Sequence, residues 1–165
     1  MSDRGAETSA DGLFRFRLWR RFDTERSVGF IMLNPSTADA DQDDPTIRAC
    51  LRFARRFRYG GIEVVNLFAY RATDPAALFH AWRAGTVISG GDRNDVAIAE
   101  LSRRCRDIIL AWGSRTERPL GKQRARVLEI VEGNSLFCLG RTKTGAPRHP
   151  LYLSGSTRLE PWARH

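Results

Sequence analysis

Amide and imidazole side chains occur where predicted strands end. Asn34 and Asn66 each lie at the end of an apolar run, and His149 follows the last predicted strand. An asparagine amide offers both a donor and an acceptor, which matches the N3–H and O4 edge of a uracil-like pyrimidine and mismatches cytosine. A histidine can hydrogen-bond an oxygen on which negative charge develops as a bond breaks. If they share one crevice, these side chains predict a site that binds a pyrimidine and assists its departure.

Each of these residues also has a simpler interpretation. Asn34 precedes Pro35, and an Asn-Pro pair after a strand is typical of a turn. Asn66 can satisfy nearby backbone groups instead of a ligand. Among the histidines, His80 falls in a helical stretch and His165 is terminal, so His149 is the one we expect to be catalytic.

The elements that must position these residues follow from apolar periodicity. Continuous apolar runs predict buried strands at 28–33, 62–67, 107–112 and 136–139, and alternation predicts a half-buried strand at 13–22. Helical patterns begin after Asp43 or Asp44, after Thr73-Asp74-Pro75 and after Gly90-Gly91, and a further one spans 123–131. Strands that alternate with helices favour a parallel sheet between helical layers.

We therefore predict a three-layer α/β/α fold with a central, mainly parallel four-stranded sheet and an N-terminal antiparallel strand. Residues 13–165 are expected to form a single domain after a flexible tail at residues 1–12. Ligands of such sheets bind beyond the carboxyl ends of the strands, where Asn34, Asn66 and Gly113 lie.

Charge and composition limit the classes of molecule that the protein is expected to bind. The 165 residues include 27 Lys and Arg against 19 Asp and Glu, a net charge of +8 that favours a polyanion such as nucleic acid. Only two of the basic residues are lysines, a skew that a GC-rich coding sequence also produces. The apolar runs are too short for a membrane span, so we expect no membrane partner. Three dispersed cysteines and no export leader predict a cytoplasmic protein without a disulfide framework or a metal site.

Four segments, in order, resemble motifs of the uracil-DNA glycosylase superfamily. Phe30-Ile31-Met32-Leu33-Asn34-Pro35 is similar to its water-activating motif, and Val64-Val65-Asn66-Leu67 to the strand whose asparagine reads uracil. Ile109-Leu110-Ala111-Trp112-Gly113-Ser114 resembles its third strand, and His149-Pro150-Leu151-Tyr152-Leu153-Ser154 its His-Pro-Ser-Pro-Leu-Ser motif. The Leu-Asn-Pro-Ser-Thr-Ala-Asp string also resembles a group of uncharacterised bacterial proteins.

The resemblance implies a glycosylase-like fold and hydrolysis of the N-glycosidic bond of uracil in single- or double-stranded DNA by base flipping. The implied substrates extend to other damaged bases. The abasic site left behind would enter base excision repair. The resemblance further implies a monomer that associates with the nucleoid and needs no cofactor and no metal. The implied catalytic residues are Asn34, which positions water, and His149. Asn66 would read the base, and the rest of the pocket would be formed by Pro35, Ser36 and, as the stacking aromatic, Phe68. DNA contacts would come from Leu153 as the wedge and from Tyr152, Arg148, Arg141 and Lys143.

Several alternatives stay open at this point. An amide is no strong base, so Asp39, Asp43 or Asp44 can instead supply a carboxylate that activates water, although Asp43 and Asp44 also suit helix capping. The stripe of Arg48, Arg52, Arg55 and Arg56 is either a phosphate-facing surface or a solvated helix face. For the whole chain, the alternatives are a nucleotide or nucleoside hydrolase and a non-catalytic nucleic-acid-binding domain.

Overall fold

The computed structural model describes residues 3–163, which form an α/β protein with seven strands and four helices. The terminal His165 lies outside the described residues. The strands are β1 (Asp3–Thr8), β2 (Arg15–Arg21), β3 (Ser27–Met32), β4 (Gly61–Asn66), β5 (Asp107–Leu110), β6 (Ser135–Cys138) and β7 (Glu160–Pro161). The helices are α1 (Pro45–Arg56), α2 (Pro75–Arg83), α3 (Asp92–Arg104) and α4 (Pro119–Ile130).

All seven strands belong to one mixed sheet with the order β1-β2-β4-β3-β5-β6-β7. The central four strands, β4, β3, β5 and β6, are mutually parallel, and β2 joins them antiparallel through β4. The parallel part and the N-terminal antiparallel strand were expected, but the sheet is larger than the predicted four strands.

Two strands extend the sheet beyond the prediction. Residues 3–8, in the segment predicted to be a flexible tail, form the edge strand β1 paired with β2. Trp19 of β2 covers Gly5 so closely that a Cβ there would stand 2.3 Å from the indole ring. At the other edge, β7 pairs with β6. Both edge strands are polar and largely exposed, so apolar periodicity does not reveal them.

Helices cover both faces of the sheet, each over its own apolar core. Alternate residues of β3 divide between the two cores, since Phe30 packs on the α1 side and Ile31 on the side of α2, α3 and α4. Buried residues of α1 include Ile47, Cys50 and Ala54, the face that its periodicity predicts. Among residues 3–163, no helix has the length and apolar character that crossing a membrane requires.

The chain order places a topological switch point between β3 and β5. From β3 the chain passes through α1 to β4 on one side, whereas β5, reached through α2 and α3, lies on the other side of β3. The segments that leave the carboxyl ends of β3 and β5 therefore diverge, and they leave a crevice of the kind in which α/β proteins bind ligands.

Candidate active site

A cavity of about 510 Å³ opens at this switch point. Its wall is built from the segments after β3 and β5, the first turn of α1, and residues before α2. The polar residues that line it are Arg15, Asn34, Ser36, Thr37, Asp44, Thr46, Thr73, Ser114, Arg115 and His149. The volume is in the range that small-molecule sites occupy.

Asn34 stands at the cavity wall directly after β3. Its Nδ2 donates to the carbonyl oxygens of Pro35 at 3.0 Å and Ala72 at 2.9 Å. Both amide hydrogens are thus engaged within the protein, and the side chain is fixed. Oδ1 is the atom that remains for a ligand, and it is an acceptor that can orient a water molecule.

His149 lines the same cavity from the segment after β6. A hairpin brings it there, because Gly113 N–H donates to the Pro147 carbonyl at 2.9 Å and ties the hairpin to the end of β5. Gly113 itself has a φ of 78°, a left-handed conformation that glycine adopts without strain.

The environment of His149 sets its protonation. Burial lowers the pKa of the imidazole, and the nearby Asp44 opposes that shift. Nδ1 accepts a hydrogen bond from the Leu151 N–H at 3.2 Å. A neutral imidazole that accepts at Nδ1 carries its proton on Nε2, so His149 offers one neutral N–H donor.

Asp44 is the carboxylate of this cavity, and the structure separates it from the other two acids considered above. It caps α1, with Oδ1 accepting from Ile47 N–H at 2.8 Å and Oδ2 from Ala38 N–H at 3.2 Å. Asp43 pairs instead with Arg20 at 2.8 Å, and Asp39 closes a turn onto the N–H groups of Asp41 and Gln42. Neither Asp39 nor Asp43 lines the cavity.

Arg15 is a cavity residue that sequence reasoning missed. Its side chain is 2% exposed, and Nη1 donates to the Ala38 carbonyl at 2.8 Å. Strict alternation predicts Arg15 on the outer face with Arg17. The alternation breaks at the start of β2, where Arg15 and Phe16 are both buried, so the arginine turns inward.

Asn66 lies beneath the cavity and does not line it. It is 1% exposed, and within residues 3–163 neither its Nδ2 nor its Oδ1 has a hydrogen-bond partner. In the parallel register it is opposite Met32, which does line the cavity. Register partners in adjacent strands project to the same face of a sheet, so the amide is on the cavity side. A buried amide without partners is rare enough to require an explanation such as a ligand or a water molecule.

The other predicted pocket residues divide. Ser36 lines the cavity, whereas Pro35 is buried and contributes its carbonyl to Asn34 and to the Ala72 N–H. Phe68 is not brought to this site. Its ring packs edge-on against Phe79 of α2, with centroids 6.1 Å apart, and it borders a different cavity because apolar partners are available on that face.

Leu153, the predicted wedge, and its neighbour Tyr152 differ in their exposure. Leu153 is half-buried and packs against the α1 core, whereas Tyr152 is 95% exposed at the tip of a turn, with a φ of 67°. Leu151, next to it, lines the cavity. Within residues 3–163, the fully exposed aromatic ring next to a cavity-lining residue is therefore that of Tyr152.

The cations predicted to contact DNA differ in whether their side chains are already bonded within the protein. Arg148 and Lys143 are exposed, but Arg141 stacks over the Trp162 ring at 3.9 Å and donates to the Gly145 carbonyl. In the α1 stripe, Arg52 and Arg56 donate to carbonyls of the segment 153–157. These contacts give the stripe a role in holding that segment on α1.

These features define the class as an α/β protein with a polar cavity at the switch point of a mainly parallel sheet. The chain belongs to the DUF1643 family, described as proteins of unknown function, and the family model matches residues 15–151. All the residues that line the cavity, from Arg15 to Leu151, fall within that match. No curated protein matches the chain.

Proposed function

We propose that the protein is a DNA glycosylase of the uracil-DNA glycosylase type, which hydrolyses the N-glycosidic bond of uracil and leaves an abasic site for base excision repair. The observation that carries this proposal is the meeting of Asn34, Asp44 and His149 in one cavity. They supply a fixed acceptor, a carboxylate and a neutral N–H donor, which are the groups that this hydrolysis requires.

His149 serves the leaving base. As the bond between the sugar C1′ and the base N1 breaks, its electron pair leaves with the pyrimidine, and negative charge develops on N1 and O2. The Nε2–H of a neutral His149 donates to O2 and stabilises that charge. A donor already fixed by the Leu151 N–H needs little reorganisation at that moment.

Asn34 and Asp44 serve the water molecule. Oδ1 of Asn34 accepts from the water and orients its oxygen toward C1′, while Asp44 takes the proton that the attacking water loses. A carboxylate can do this as a general base, whereas an amide cannot. The products are free uracil and an abasic sugar with a new C1′ hydroxyl.

Asn66 suits the reading of the base edge. Its amide has an unused donor and an unused acceptor, which complement O4 and N3–H of uracil. Cytosine presents the opposite pattern, and it would pair with the amide only after a rotation of about 180° that exchanges Nδ2 and Oδ1. For this pairing the ring must enter past Met32, so a small displacement of the cavity floor accompanies binding.

The surface near the cavity suits DNA. Removing a base from the stack costs a few kcal/mol, and a side chain that occupies the gap offsets part of that cost. Tyr152 is exposed beside the cavity-lining Leu151, and the net charge of +8 attracts the phosphate backbone.

The test is release of uracil from a labelled oligonucleotide in chelator, followed by alkaline cleavage of abasic sites. We expect cleavage by the wild type and by His80→Ala, a matched histidine exposed on α2, but not by His149→Ala. An oligonucleotide left intact at high protein excess contradicts the proposal for uracil. Parallel substrates with xanthine or hydroxymethyluracil define the range of bases.

A hydrolase of free nucleosides or nucleotides is the second candidate, and the packing of Leu153 favours it. Such an enzyme needs no wedge, and Leu153 is already engaged with the α1 core. Turnover of free deoxyuridine together with an unchanged rate for Leu153→Ala would support this candidate. Tight DNA binding without release of any base would instead support a non-catalytic domain.

A further inference from the structure

A buried cation at the cavity wall is left unexplained by the hydrolysis of a neutral base. Arg15 reaches the cavity from β2, and its buried Nε has no hydrogen-bond partner in the described part of the chain. Among residues 3–163, no carboxylate oxygen lies within 4.0 Å of its guanidinium nitrogens. Asp44 offsets part of the cost of burying this charge without contacting it, and an anionic ligand in contact with the guanidinium would reduce that cost further.

The guanidinium keeps its charge despite burial. Burial lowers the pKa of Arg15 to about 10, Asp44 opposes the shift, and Arg71 and Arg20 add to it. Arg15 is therefore a cation at neutral pH, with two more arginines close enough to affect it. Arg71 donates to the carbonyl oxygens of Ser36 and Thr37, which fixes it behind this part of the wall.

Neutral donors surround the same place. The hydroxyl residues Ser36, Thr37 and Thr46 line the cavity with Arg15. Asp44 is also present, but its two oxygens already accept from the N–H groups of Ile47 and Ala38. A guanidinium with several hydroxyls is a set that phosphate oxygens bind well.

We infer that this wall of the cavity, formed by Arg15 with Ser36, Thr37 and Thr46, binds a phosphate group attached to the target nucleoside. The inference rests on the proposed function in taking the ligand to be a deoxyuridine nucleotide. The phosphate belongs either to the DNA strand beside the flipped nucleotide or to a free nucleotide, and both present the same oxygens to Arg15.

The first test compares the affinities of dUMP and deoxyuridine by isothermal titration calorimetry. We expect dUMP to bind at least about ten-fold more tightly, because a hydrogen bond to a charged group strengthens binding by about that factor or more. In Arg15→Met this advantage should disappear while deoxyuridine affinity stays unchanged, and in Arg15→Lys part of it should remain. Equal affinities in the wild type, together with no effect of a neutral linkage on either side of the deoxyuridine, overturn the inference, and neither comparison needs a variant to fold.

The second test finds the source of the phosphate. Uracil-containing oligonucleotides are prepared with a neutral methylphosphonate at the linkage 5′ or 3′ to the deoxyuridine. Roughly ten-fold weaker binding from one substitution identifies the phosphate of DNA. No loss from either, together with preference for dUMP, identifies a free nucleotide as the ligand.

The two proposals can fail separately. Preference for dUMP without release of uracil from DNA supports the phosphate site and contradicts the glycosylase. Release of uracil with equal affinity for dUMP and deoxyuridine, and with no effect of the methylphosphonates, supports the glycosylase and contradicts the phosphate site.

Discussion

Buried polar groups at the two ends of the parallel strands are treated in opposite ways. Toward the amino ends, the carboxylate of Glu63 pairs with Arg17 at 3.2 Å and with Arg104 at 3.0 Å. Asp107 likewise pairs with Arg26 at 2.9 Å and accepts from the Tyr59 hydroxyl at 2.8 Å. At the carboxyl ends, no described residue forms a hydrogen bond with either amide atom of Asn66 or with Nε of Arg15.

This difference suggests that the paired groups at the amino ends stabilise the fold, and that the unpaired groups at the carboxyl ends are available to a ligand. The paired charges have their partners within the protein. Substituting them should therefore lower the stability of the fold and leave ligand binding unchanged. Unpaired groups cost stability in the empty protein, because burial removes them from water without replacement. They should recover that cost when a ligand fills the cavity.

The largest effect is expected for His149→Ala. Loss of one donor that stabilises developing charge costs about 100- to 1000-fold in rate, so uracil release should fall by that factor in single-turnover assays. His80→Ala is the matched control and should retain the wild-type rate. A loss below three-fold for His149→Ala would remove the imidazole from the mechanism.

His149 also predicts a pH dependence. Its pKa in the folded protein is lowered, so the folded state binds fewer protons than the unfolded chain below the usual value near 6.5. The free energy of unfolding should therefore fall as the pH drops below about 6.5. Denaturation in urea across this range should show a shallower decline for His149→Ala, and equal slopes would contradict the neutral assignment.

At the paired end, Glu63→Gln should destabilise the fold and spare the chemistry. Removing one partner of a buried ion pair costs about 3 kcal/mol, since Arg17 and Arg104 lose their counter-charge. Urea denaturation measures this, and Glu100→Gln, which removes only an exposed partner of Arg104, should cost less than about 1 kcal/mol. Uracil release per folded molecule should be unchanged in both variants.

Asp44→Asn separates capping from catalysis. Asparagine also caps a helix, but it keeps only one of the two oxygens that accept from Ile47 and Ala38, and it removes the charge that favours the buried Arg15 cation. Stability should therefore fall by about 1–3 kcal/mol, whereas uracil release per folded molecule should fall about 100-fold for want of a base. Asp74→Asn is the control for helix capping alone, because the exposed Asp74 caps α2 through the Ala76 N–H and does not line the cavity. Equal activities of the two variants would exclude Asp44 as the base.

Tyr152→Ala should weaken binding to single-stranded DNA about ten-fold, as expected for the loss of one stacked base. Leu153→Ala should weaken it less, because Leu153 is already packed on the protein. Fluorescence anisotropy with a labelled oligonucleotide measures both. A larger loss of DNA affinity in Leu153→Ala than in Tyr152→Ala would instead identify Leu153 as the wedge.

The smallest effect has the opposite sign. Asn66→Leu replaces unpaired amide atoms with apolar ones of similar size, so the empty protein should gain about 1 kcal/mol in its free energy of unfolding. Uracil release should be lost at the same time. Destabilisation instead would mean that the amide already has a partner in solution.

The sequence predicts the centre of this molecule better than its edges. Apolar runs identify β3, β4, β5 and β6, because strands buried on both faces must be apolar throughout. The polar β1 and the two-residue β7 carry no such signal, since each depends on pairing with a neighbouring strand. Helix α4 begins at Pro119, earlier than the predicted residue 123, because the segment at its start lacks a clear apolar period.

Prediction of the site reaches the same limit. The types and strand-end positions of Asn34 and His149 identify them, and the structure brings both to one cavity. Sequence cannot separate Asp44 from the adjacent Asp43, because their difference depends on which one turns toward Ala38 and Ile47. It cannot find Arg15 either, because the irregularity that buries this side chain occurs within an otherwise regular alternation.

The central claim is that a pyrimidine pairs with the side-chain amide of Asn66 at the carboxyl ends of the strands. The most direct measurement follows the side-chain amide signals of Asn66 in ¹H–¹⁵N spectra during titration with deoxyuridine, with Asn66→Leu used for assignment. We predict a saturable downfield shift of the Asn66 amide protons as they pair with O4, while the Arg17 and Arg104 Nε–H signals at Glu63 stay in place. An unchanged Asn66 signal at saturating deoxyuridine would contradict the claim.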